Sequence, residues 1–72
     1  MVFDYSKLLG KIREKGHTQE TLARSIGITP GTMSEKLSNK ANFKQKEIFL
    51  ICEALDIPIS EIGAYFFAQK VR

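Results

Sequence analysis

The polar side chains of this chain that could do chemistry lie between positions 19 and 44: Gln19, Thr29, Thr32, Ser34, Glu35, Lys40, Asn42 and Lys44. Amide, hydroxyl and ammonium groups of this kind donate to phosphate oxygens and exchange donor–acceptor pairs with base edges. They do not form the pattern of a catalytic site. No nucleophile stands with a recognisable base, and no glycine-rich loop could cradle a phosphate. The single histidine, His17, reads as a helix-flanking surface residue and the single cysteine, Cys52, as core, because a metal site needs more ligands than one of each. Neither an enzyme, a cofactor nor a metal is expected.

These side chains have to be held by something, and the stretch Thr18 to Leu37 supplies it. Thr18 is placed to cap a helix with its hydroxyl, and Leu22, Ala23 and Ile26 form an i, i+1, i+4 apolar stripe. Gly27 follows at the point where a left-handed residue ends a helix cheaply. Thr29 then caps a second helix with Pro30 at its first position, where the fixed φ helps and the missing N–H is no loss. Met33 and Leu37 put an apolar stripe on the side facing the first of these helices. Ala23 is small where the two would cross. With Met33 and Leu37 turned inward, 100° per residue directs Gly31, Glu35 and Ser38 outward, flanked by Thr32 and Ser34.

Other elements frame this pair. Asp4 is expected to cap a first helix that Gly16 ends, with Phe3 and Leu8 as a hydrophobic staple and Leu8, Leu9 and Ile12 facing the core. Lys7, Lys11 and Lys15 recur every four residues and read as a solvated stripe. Asn39, tolerant of a left-handed conformation, ends the third helix after Ser38. A loop through Phe43, a core plug, leads to a fourth helix from about Lys44 to Leu55, with Ile48, Ile51, Cys52 and Leu55 in the strongest periodicity of the chain. Asp56-Ile57-Pro58 breaks it, and Ser60-Glu61-Ile62 is a short fifth helix that starts near Pro58. Residues 1–63 are expected to form the domain and residues 64–72 a tail. Tyr65, Phe66 and Phe67 in that tail are either sealing residues or a contact for a second copy or a partner.

Seventy-two residues make one small domain. Its hydrophobic share of 43% and charged share of 26% are those of an ordinary globular chain, and two prolines and five glycines argue against disorder and low complexity. No apolar run approaches the ~20 residues that span a bilayer, so the expected location is the cytoplasm, and a lone cysteine fits a reducing compartment. A net charge of +3 and a pI near 9.2 lean towards an acidic partner such as nucleic acid.

The Thr18–Leu37 stretch resembles the helix-turn-helix of the lambda-repressor-like (Cro/phage-repressor, XRE-type) family, most specifically at Gln19, Ala23, Gly27, Ile28 and Met33. The similarity extends from about Asp4 to Ile62, and the chain as a whole is most similar to very short Cro-like phage proteins. The resemblance implies an all-α, compact five-helix domain whose third helix enters the major groove. It assigns the motif's core to Leu22, Ala23, Ile26, Gly27, Ile28, Met33 and Leu37. Gln19 would meet a phosphate at the positive end of its helix, Lys40, Asn42 and Lys44 would grip backbone, and Thr29, Thr32, Ser34 and Glu35 would reach phosphate or base.

Pro30 and Gly31 stand where family members carry polar, base-reading side chains, and here both have lost that chemistry. Two functions follow from the resemblance. The first is a Cro-like repressor that binds double-stranded operator DNA as a homodimer and blocks a promoter by occupancy. The second is an antirepressor or modulator that uses the same face to bind a partner phage repressor, with Glu35 pairing an arginine of that partner.

Overall fold

Local capping chemistry sets the helix ends. In the computed structural model, which describes residues 2–70, α1 spans Ser6–Glu14, α2 Gln19–Ile26, α3 Pro30–Leu37, α4 Gln45–Leu55 and α5 Ile62–Phe66, with a 3-10 turn Ile59–Glu61 leading into α5. The architecture is all-helical, with no strand among the described residues beyond a lone antiparallel bridge between Phe3 and Gln69. No helix among those residues is long and apolar enough to cross a membrane.

The α2–α3 pair forms as its sequence predicts. Thr18 Oγ1 accepts the Thr21 amide at 3.1 Å while Thr21 Oγ1 accepts the Thr18 amide at 2.9 Å, a reciprocal box that satisfies two N-terminal donors. Gly27 is left-handed at φ 83°, and the Ile28 amide returns to the Ala23 carbonyl at 3.0 Å. Thr29 caps α3 with Pro30 at its first turn. Asn39 is left-handed at φ 68°, as expected of the residue that ends α3.

Leu8, Ile12, Leu22, Ala23, Ile26, Met33, Ile51, Cys52 and Leu55 form one buried cluster with Tyr5, Ile57, Tyr65 and Phe66. Ile28 and Leu37 lie at its edge, half-buried rather than enclosed, and Gly27 is exposed in its turn. Leu37 gives way because the inward direction of the last turn of α3 falls on Lys36 instead. Ile48, expected in the α4 stripe, is also half-buried.

The two ends of the chain depart most from expectation. The first helix starts at Ser6, with Tyr5 rather than Asp4 at its N-cap position and no side-chain cap bond. From one residue further out, Asp4 Oδ1 accepts the Ser6 amide at 2.9 Å and the Ser6 hydroxyl at 2.6 Å, closing the turn that leads into the helix. These bonds hold the Asp4 carboxyl below its ordinary value. Phe3 is drawn to the C-terminal segment, where the Asp4 amide donates to the Ala68 carbonyl at 2.7 Å and the Lys70 amide to the Val2 carbonyl at 3.1 Å. Over its described part, residues 64–70, the expected tail is therefore continuous with the bundle. α5 runs across the expected boundary at 63/64, and Tyr65 and Phe66 are enclosed in the core at 5% and 2% exposure. Val71 and Arg72 lie outside the described residues.

The lysine stripe of α1 is likewise not simply solvated. The Lys7 ammonium sits 4.7 Å from the centre of the Tyr65 ring, Lys11 pairs with Glu14 at 3.0 Å, and Lys15 reaches Asp56 at 3.5 Å.

Candidate partner-binding face

The outer face of α3 begins with two residues that carry no hydrogen-bonding side chain. Pro30 at its start has no amide proton, and Gly31 has no side chain and open space where a Cβ would stand. The two threonines are committed to each other. Thr29 Oγ1 accepts the Thr32 amide at 3.1 Å and donates to Thr32 Oγ1 at 2.9 Å, so the capping role consumes much of their capacity for outside contacts. Ser34 and Glu35 are exposed. The Glu35 carboxylate has no ion pair or side-chain hydrogen bond among the described residues. It is the only acidic side chain of α3.

The remaining expected contacts flank it. Gln19 is exposed at the first turn of α2, and one turn further Glu20 and Arg24 neutralise each other at 2.6 Å. Lys40 is exposed, its amide closing on the Glu35 carbonyl at 2.9 Å. Lys44 is exposed at the start of α4 and donates its amide to Glu47 Oε1 at 2.8 Å. Asn42 is exposed but also borders an aromatic cavity of about 220 Å³ walled by Phe3, Tyr5, Phe43, Phe66 and Phe67. Of the three aromatics read as either sealing residues or a partner contact, Tyr65 and Phe66 are sealed in the core and Phe67 is exposed at 52%.

Two features lay outside the sequence reading. Phe49 and Ile59, at 50% and 60% exposure, join Phe67 around an apolar groove of about 520 Å³ between α4 and the 3-10 turn. Phe49 stands one residue beyond Ile48, off the core stripe, and that register was the available signal. The second feature is Lys36, which is buried and bonded to Glu47 Oε1. Burial pushes the Glu47 carboxyl up, but the bonds from Lys36 and from the Lys44 amide outweigh it and leave Glu47 below its ordinary value.

A compact helical chain with this face can be placed among known proteins. The family model described as "Protein of unknown function (DUF739)" matches residues 1–69, and the chain belongs to that family. Among solved structures it is similar to the solution structure of the modulator of repression (MOR) of the temperate bacteriophage TP901-1 from Lactococcus lactis. The two are 42% identical with a TM-score of 0.80, over 100% of this chain and 97% of that one. No curated protein matches the chain.

Proposed function

We propose that this protein is a phage modulator of repression that retains a lambda-repressor-like fold and binds a partner repressor through the α2–α3 face. The observation that carries the reading is the face of α3 itself. Pro30 and Gly31 offer no base-reading group, Thr29 and Thr32 bond to one another, and Glu35 presents an unpaired carboxylate. Such a face would repel phosphates, yet it suits the basic surface a repressor keeps for DNA. The full-length likeness to a phage modulator of repression supports the same reading. On this proposal the protein acts by binding alone, occupying the repressor's DNA-reading surface without any catalytic step.

The Cro-like repressor has less support. It keeps Gln19, Lys40 and Lys44 as exposed groups for phosphate, contacts that position a protein without specifying a sequence. The operator-bound homodimer belongs to that reading. The experiment that separates the two titrates the purified protein against the repressor encoded in the same phage or prophage, and against the operator of that repressor. The modulator reading expects a complex with the repressor and release of the repressor from operator DNA. Tight, selective and salt-tolerant operator binding by the protein alone would overturn it.

A further inference from the structure

Lys36 is the one charged residue buried among the described residues, at 4% exposure, and it lies in the last turn of α3. Its ammonium bonds to Glu47 Oε1 in the first turn of α4, and the same oxygen accepts the Lys44 amide at 2.8 Å. A crossbar of two charged groups therefore joins the end of α3 to the start of α4. α3 has 8 residues, too few to hold an orientation by itself. It packs chiefly on α2, and Met33 is its only fully buried apolar side chain. Apolar contact through Met33, with Leu37 half-buried at the core edge, is non-directional, and the paired Asn39–Phe3 bonds tie the end of α3 to the N-terminal segment rather than to α4. A charge-assisted hydrogen bond has a required direction and length.

Stability does not explain such a pair. Withdrawing two charges from water costs as much as their attraction returns, and apolar replacements of similar volume commonly leave a protein as stable or more so. We infer that Lys36 and Glu47 are positioning residues, whose ion pair sets the tilt of α3 on the bundle and so aims Gly31 and Glu35 at the partner. The tilt is a property of the free protein. Only its consequence for binding rests on the modulator reading above.

The test compares the wild-type protein with Lys36→Met/Glu47→Leu and with the near-isosteric Glu47→Gln. Residual dipolar couplings on the free proteins read the axis of α3, and thermal melts read stability. Titration of the repressor from the same phage reads affinity, corrected for the folded fraction. The double variant should melt at or above the wild-type midpoint, show α3 reoriented against α1, α2 and α4, and bind the repressor about tenfold more weakly. Glu47→Gln, which keeps an oxygen for the Lys44 amide, should shift the couplings in the same direction by less and weaken binding about threefold. An α3 axis unchanged in both variants overturns the inference, as does wild-type affinity in a variant whose axis has moved. A wild-type protein that ignores the repressor overturns the modulator reading alone, and the couplings then still decide the tilt.

Discussion

Asn39 and Phe3, far apart in the chain, bond like neighbours in a sheet: Asn39 Oδ1 accepts the Phe3 amide at 2.9 Å, and Asn39 Nδ2 donates to the Phe3 carbonyl at 3.0 Å. A side-chain carboxamide thus stands in for a strand edge on one side of Phe3, while Gln69 bridges it on the other. The Asn39 backbone is left-handed at φ 68°. One residue both ends α3 and fastens the N-terminal segment to it.

The two roles separate by substitution. Asn39→Gly keeps the left-handed backbone but loses both bonds, a loss of about 1–3 kcal/mol. Asn39→Ala loses the bonds and also carries a left-handed β-carbon, which costs roughly 1–2 kcal/mol more. Urea unfolding of the two variants reads each contribution. Equal stability of the two would mean that the backbone conformation relaxes.

The C-terminal segment is expected to act on stability rather than on assembly. The Ala68 carbonyl accepts the Asp4 amide, and the Phe67 ring meets Phe3 edge-on with centroids 5.8 Å apart. Ending the chain after Phe66 should therefore lower stability by about 1–3 kcal/mol through lost bonds and ring contact, with sedimentation showing the mass unchanged. A fall in mass with unaltered stability would return the segment to the role of an association surface.

Ala23 is fully enclosed between α2 and its neighbours. Ala23→Leu should overpack that crossing and cost roughly 1–3 kcal/mol, a fall of about 4–8 °C in melting midpoint per kcal/mol for a domain of this size. An unchanged midpoint would show that the crossing has room to spare.

Acid should unfold the protein partly through Glu47. Its carboxyl lies below the ordinary value of 4.5, held there by Lys36 and the Lys44 amide against the opposing pull of burial. A carboxyl depressed in the folded state contributes stability above its unfolded pKa and loses it as pH falls through the folded one. The stability gap between wild type and Glu47→Gln should thus be full near neutrality and close below about pH 4.5. Chemical denaturation across that range checks it; a gap that widens in acid would reverse the sign.

How much of this could be read from the sequence depended on range. Thr18, Gly27, Thr29 and Asn39 declared the ends of α2 and α3, because caps and left-handed residues act on atoms a few positions away. The bareness of α3 at Pro30 and Gly31 was legible for the same reason. Lys36 was not, since its partner lies beyond an intervening loop and a lysine beside an apolar stripe ordinarily snorkels to water. Tyr5 and Phe66 entered the core through ring contacts with Phe43, each at 5.5 Å between centroids, a closure that no helical periodicity announces. The charge at Glu35 was visible as a residue type, but that it enters none of the ion pairs among the described residues emerged only from the fold.

That isolation makes Glu35 the most informative position on the face. An exposed side chain with no internal bond contributes little to folding, so Glu35→Lys should leave stability within about 0.5 kcal/mol of wild type. Reversing its charge opposite a cationic repressor surface should weaken that complex by about tenfold. The new ammonium should at the same time strengthen DNA binding and steepen its salt dependence by about one phosphate contact. Parallel titrations of repressor and operator DNA at two salt concentrations check both directions. Repressor affinity that is indifferent to the reversal would remove Glu35 from the interface and move the partner off the α3 face.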